Sequence, residues 1–144
     1  KGFTEYRNEK RFKDLESWDH LLIVRVDAPF AFVNIQTIKE WISNEALKRE
    51  GKLNKVIIDA GPVSYIDATG IDGIRELMES LKKKNIELIF SEVIGPVRDA
   101  FYRNQLFSEK ASEVFFMTTD EAVNYCISQE FKNTHASFAV QVND

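Results

Sequence analysis

Apolar positions along the chain switch between two periods. Leu21 to Asp27 (LLIVRVD) is a short apolar run rich in β-branched residues, the pattern of a strand. Lys55 to Asp59, Glu87 to Ser91 (ELIFS) and Val114 to Met117 (VFFM) repeat it, and the near-continuous hydrophobicity around Val56 predicts a strand buried on both faces. Between them the spacing lengthens. Ile35, Ile38, Trp41, Ile42 and Leu47 recur at helical intervals up to Gly51, and Ile71, Ile74, Leu77, Met78 and Leu81 do so up to about Asn85. Gly95-Pro96 opens a shorter helix carrying Val97, Ala100 and Phe101, with proline where a missing N–H costs nothing. Thr118 or Thr119 caps a last helix that turns Ala122, Val123, Cys126 and Ile127 inward. Ala28-Pro29 breaks the first run, so Phe30 to Val33 (FAFV) reads as a second strand in a tight β-arch, and Asn34 as the cap of the helix that follows. Tyr6 to Phe12 reads as an edge strand.

The predicted order is therefore β-β-β-α-β-α-β-α-β-α. Strands alternating with helices give an α/β domain whose mixed β-sheet has helices packed on it. From Phe131 onward the helical pattern is lost, so residues 1–131 read as one domain and 132–144 as a flexible C-terminal tail. Phe30, Phe32, Phe115 and Phe116 are assigned to the core, with an exposed interface as the alternative.

Composition narrows the function. With 144 residues, 44% of them hydrophobic and 29% charged, the chain forms a real core without staples. A net charge of −4 gives no electrostatic case for nucleic acid. The single cysteine, Cys126, excludes an internal disulfide and a cysteine-based zinc cage; on an apolar helix face it acts as a small hydrophobe. No apolar run approaches the roughly 20 residues of a membrane-spanning helix. The first residue is Lys1, not Met, as expected of a soluble piece of a longer protein or of a tag remnant.

Candidate chemistry concentrates in VIIDAGPVSYIDATG, residues 56–70: an apolar strand, a Gly61-Pro62 turn, and Asp67-Ala68-Thr69-Gly70 at a helix start. A helix N-terminus offers free N–H groups and partial positive charge to an anion or a phosphorylated hydroxyl. Thr69 supplies the hydroxyl, and Gly70 permits close approach to the backbone. The plainer reading makes Asp67 or Thr69 a helix cap and nothing more. Asp59 ends a strand, where α/β proteins often place functional groups, and with Asp67 forms a candidate carboxylate pair. No nucleophile signature accompanies it, His20 and His135 stand far from any ligand-spaced partner, and Gly95-Pro96 lacks the spacing of a phosphate loop. Lys82-Lys83-Lys84 reads as a solvated helix end that complements the helix dipole. No catalytic residue, metal site or cofactor is expected.

The stretch IIDAGPVSYIDATGIDGIRELMESLKKKNIELIFSEVIGPVRDAF resembles a STAS domain, the module named for sulfate transporters and anti-sigma-factor antagonists. Asp27 to Asn34 (DAPFAFVN) and Gly95 to Asp99 (GPVRD) look like segments of the SulP-type anion permeases, and Tyr6-Arg7 is similar to the residues that open the domain after the last membrane helix. The resemblance covers roughly residues 5 to 128 and implies a mixed sheet of four to six strands with helices packed on it. It further implies a non-catalytic, cytoplasmic C-terminal regulatory domain of a membrane transporter for sulfate, bicarbonate, chloride or a carboxylate, lying at the cytoplasmic face of the membrane. Its partners would be the transmembrane part of the same transporter, a regulatory protein, or a second copy in a homodimer, with no nucleic acid and no membrane contact except through the parent. In the free-standing antagonists, the corresponding step carries a hydroxyl phosphorylated by a partner kinase. The alternative is therefore an antagonist-like binding protein switched at Thr69, although this chain has Ala68 where some antagonists have a second hydroxyl. A small-molecule or nucleotide sensor using the same helix start is a third reading.

Overall fold

The computed structural model describes residues 3–5, 20–107 and 114–130. Strands β1 (Phe3–Glu5), β2 (Leu21–Val26), β3 (Lys55–Asp59), β4 (Glu87–Ser91) and β5 (Phe115–Phe116) form one sheet in chain order. β1 runs antiparallel to β2, and β2 through β5 are parallel. Each parallel pair is joined across the sheet by a helix: α1 (Phe32–Lys48), α2 (Ala68–Lys83) and α3 (Gly95–Arg103), with α4 spanning residues 119–130. The mixed α/β sheet expected from the periodicity is present. The candidate strand at Tyr6 to Phe12 and the tail after residue 131 lie outside the described residues. No helix among the described residues is long and apolar enough to cross a membrane.

The strands read as continuous apolar runs because both faces are covered. Leu22, Val24, Val56, Ile58, Leu88 and Phe90 point to the side of α1, α2 and α3. Leu21, Ile23, Ile57 and Ile89 point to the other side, against Ala122, Val123 and Cys126 of α4. Burial pushes the Cys126 thiol up to about 12, so it stays protonated and packs as a hydrophobe. Thr118 Oγ1 accepts from the Glu121 amide at 3.1 Å, which makes Thr118 the cap of α4.

Two expectations fail at the start of α1. Phe30 to Val33 is not a strand, and Asn34 is not a cap. Phe30 makes one parallel bridge to Ile66, Ala31 is the extended N-cap residue, and the helix begins at Phe32. Phe32 is 67% exposed, so of the four phenylalanines assigned to the core it is the one that lies outside. Phe30 is fully buried, and Phe115 and Phe116 are half-buried. Asn34 lies inside α1 and donates through Nδ2 to the Pro29 carbonyl at 3.2 Å, fastening the helix to the preceding turn. Ala31 makes no side-chain cap bond; as shown below, the missing acceptor comes from far along the chain.

α1 and α2 pack closely because Gly73 lets them. A Cβ on Gly73 would lie 2.3 Å from Cγ1 of Ile35, well inside contact distance. Gly73→Ala gains about 1 kcal/mol of helix propensity but overpacks the interface by about 1–3 kcal/mol. The net expectation is a loss in the wild-type background and none when Ile35 is Ala, since every atom that close to the added methyl belongs to Ile35. A double-mutant cycle by urea denaturation measures this; equal effects in both backgrounds would refute it.

Candidate functional site

The β3–α2 connection is built from backbone outward. Asp59 Oδ1 accepts from the Gly61 amide at 3.1 Å and shapes the turn after β3. The Phe30 amide then donates to the Tyr65 carbonyl, and the Asp67 amide to the Phe30 carbonyl, each at 3.1 Å. The chain before α1 and the chain before α2 are thus zipped together. Asp67 closes the junction: Oδ1 accepts from Gly70 N of α2 at 2.7 Å, and Oδ2 accepts from Phe32 N of α1 at 3.1 Å. One carboxylate caps two helices, satisfying amides that would otherwise lack partners. Gly70 is needed for this approach, because a Cβ there would sit 1.8 Å from the Phe30 carbonyl oxygen.

The motif therefore divides in two. Asp67 and Gly70 hold the two βα units together, whereas Ala68 and Thr69 face outward and are exposed. The amides of Gly70 and Phe32 hold the Asp67 carboxyl below the usual carboxylate range. With both oxygens engaged as acceptors, Asp67 is set up as a structural anion and not as a general acid. Thr69 presents its hydroxyl in the first turn of α2, at the positive end of the helix dipole. A phosphate there would meet that field and, beside it, the Asp67 carboxylate.

The depressed Asp67 carboxyl fixes a pH dependence. Its contribution to stability is fully present above the ordinary value of 3.8 and is lost as pH falls through the lower folded-state value. Asp67→Asn keeps an Oδ1 acceptor but not the charge. Its stability deficit relative to wild type should be largest at neutral pH and shrink as acid is added, as urea titrations of both proteins from pH 7 downward would show. A deficit that stays constant below pH 3.8 would refute this.

The structure does not bring Asp59 and Asp67 into one site. Asp59 instead lines a separate cavity of about 290 Å³ with Glu92, Thr118, Thr119 and Asp120. Glu92 adopts a left-handed backbone (φ 62°), which aims its carboxylate at α4, where Oε2 accepts from Thr119 N at 2.9 Å. Ser91 and Thr119 hydroxyls lie 2.8 Å apart, both buried. Sequence reasoning missed Ser91 and Glu92, because neither carries a local pattern; they meet α4 only once β4 and α4 lie across the sheet. His20 offers its carbonyl to the Asn54 and Lys55 amides, and His135 lies outside the described residues. Among the described residues no group of three or more His, Cys, Asp or Glu side chains is placed to hold a metal ion.

Comparison with known proteins covers nearly the whole chain. The sequence profile of the STAS domain matches residues 13–122. The chain is 28% identical over 151 residues to Sulfate transporter 4.1, chloroplastic, of Arabidopsis thaliana, an alignment covering 95% of this chain and 22% of that protein. In structure it is similar to the murine Slc26a9 anion transporter in the inward-facing state (TM-score 0.72, 16% identity, 88% of this chain and 22% of that one). It is also similar to the anti-sigma factor antagonist SpoIIAA in its unphosphorylated form (TM-score 0.65, 16% identity, 88% of this chain and 96% of that one). The chain thus spans about a fifth of the length of the curated transporters it matches.

Proposed function

Because the chain belongs to the STAS domain family, we propose that it is the cytoplasmic regulatory and interaction domain of a SulP-type membrane anion transporter. The observation that carries this reading is the alignment of 85–95% of the chain with a fifth of several plant sulfate transporters. The transported anion would be sulfate first, then bicarbonate, chloride or a carboxylate. The domain itself has no catalytic role in this reading. Its site chemistry agrees, since Asp67 is fully engaged in capping and Asp59 in shaping a turn. The partners are the transmembrane part of the same polypeptide and a regulatory protein or second copy.

The test is transport. The full reading frame should encode membrane-spanning segments together with this domain, and cells expressing it should take up labelled sulfate. Deleting residues 1–131 should lower that uptake. A frame that begins at the domain edge, or uptake indifferent to the deletion, would overturn the proposal.

One observation favours a second reading, an antagonist-like protein switched by phosphorylation: Thr69 is exposed at the start of α2 while its neighbours Asp67 and Gly70 are held in place. Incubation with a cognate kinase should then add one phosphate by intact mass, and Thr69→Ala should abolish it. An unchanged mass would remove this reading.

A further inference from the structure

At the end of α2 opposite Asp67 and Thr69, we infer that a cavity binds an amphiphilic monoanion, an apolar chain or ring carrying a single carboxylate. The cavity has a volume of about 410 Å³. That is within the range of sites for small organic ligands, which are lined by apolar side chains with a few polar groups that fix orientation. Its walls are Met78, Ile86, Leu88, Phe107 and Val114. Two features of the fold leave the space. The Ile86 amide donates to the Leu81 carbonyl and the Asn85 amide to the Lys82 carbonyl, each at 2.9 Å, with Asn85 in the left-handed region (φ 61°). That closure ends α2 and turns the chain sharply into β4. β5 then pairs only with Phe90 and Ser91, the last two residues of β4, so Leu88 nearer the start of the strand borders the cavity instead.

Charge selects the ligand. Lys82 and Asn85 stand exposed at the rim, and the Lys82 ammonium has no carboxylate partner among the described residues. Glu87 also borders the cavity, but strand alternation puts its side chain on the face of Ile89, towards α4. There its Oε1 is bound by Lys55 Nζ at 2.8 Å. The negative end of the α2 dipole is muted, because the Leu81 and Lys82 carbonyls already accept from amides and Lys83 adds a second cation in the same turn. The rim therefore offers a free ammonium and a side-chain amide above apolar walls. A carboxylate meets that ammonium while its apolar body displaces water from the cavity. Sulfate has no apolar body to bury, and the many oxygens of a nucleotide's phosphates exceed the donors present. Met78, with its adaptable thioether chain, suits a site that takes a range of related apolar acids.

Decanoate, kept below its micellar concentration, is the probe, titrated into the 144-residue chain by calorimetry and followed in two-dimensional amide NMR spectra. It should bind at a single site. The amides of Ile86, Leu88 and Phe107 should shift, while those of Leu47 and Met117, exposed apolar residues elsewhere on the surface, should not. Lys82→Gln should weaken decanoate about fivefold and leave neutral decanol unchanged. Met78→Trp, at a half-buried position, should fill the cavity and abolish binding of both. Sulfate at the same concentration should move none of these amides. Absence of heat and of amide shifts up to about 1 mM decanoate would overturn the inference. Shifts of equal size at Leu47 and Met117 would do the same, because they mean detergent-like adsorption, as would equal weakening of decanoate and decanol by Lys82→Gln. Binding that appears only once residues 131–144 are deleted would also overturn it, by showing that this segment of the chain is the occupant. None of these results bears on sulfate uptake, so the transporter reading stands or falls separately.

Discussion

Gly70→Ala should leave the domain largely unfolded. The added methyl would lie 1.8 Å from the Phe30 carbonyl oxygen and 2.6 Å from its carbon, and a backbone group cannot swing aside as a side chain can. Relief requires α2 to move away from the segment before α1. That movement breaks the bond from Gly70 to Asp67 and strains the two bonds that join Phe30 to Tyr65 and Asp67. Alanine recovers about 1 kcal/mol of helix propensity, far less than the loss. We expect a net cost of about 4 kcal/mol or more, at the rare end for a point substitution and comparable with the whole stability of a small domain. Far-ultraviolet circular dichroism and urea denaturation measure it. Gly95→Ala is the control, because nothing lies within 4 Å of a Cβ there, and it should be neutral or slightly stabilising. If the two variants melt within a few degrees of each other, the close approach described for Gly70 is wrong.

Phe90→Ala should have the next largest effect, about 3–5 kcal/mol. Phe90 is fully buried in β4 and stands at the centre of an aromatic cluster, with ring centroids 5.2 Å from Phe101, 5.8 Å from Phe107 and 5.9 Å from Phe115. Such pairs contribute beyond the area they bury. The cluster also holds β5, whose two residues are too few to keep a strand in place by hydrogen bonds alone. Loss of Phe90 should therefore act twice, as a cavity in the core and as release of β5. Hydrogen exchange should show it at the Phe90 and Glu92 amides, which bond to the Val114 and Phe116 carbonyls. Phe90→Leu, which keeps most of the volume, should cost much less and leave those amides protected. Exchange at Glu92 no faster in Phe90→Ala than in Phe90→Leu would refute the second effect.

What the sequence disclosed follows from the range of the interactions involved. Strands at Leu21, Lys55 and Glu87 were legible because burial on two faces leaves an unbroken apolar run, and the helices because one face repeats every three to four residues. Pro96 and Thr118 announced helix starts through local chemistry. The start of α1 was not legible, because its cap is Asp67, 35 residues further on, and nothing near Ala31 stands in for it. With no local acceptor in view, FAFV takes on the look of a strand and Asn34 that of a cap. The site shows the same division. Asp67, Thr69 and Gly70 stand out together as a motif, yet the separation of Asp67 and Gly70 as structural from Thr69 as exposed depends on where Phe30 lies. Glu92 and Ser91 gave no signal, since their partner Thr119 belongs to a helix on the far side of the sheet.

The shared cap has a consequence for synthesis on the ribosome. α1 is complete as polypeptide when Lys48 has been made, but the acceptor for its first amide does not exist until Asp67 has been added. A nascent chain stalled before that point carries a helix open at its N-terminus, with exposed Phe32 and Val33 in the frayed turn. The β2–α1–β3 segment is then left waiting, and Asp67 is the residue whose arrival lets the first turn of α1 close. Nascent chains arrested with residue 66 or residue 83 just outside the exit tunnel should differ sharply in protease sensitivity near Phe32, and equal sensitivity would mean that α1 closes without its distant partner.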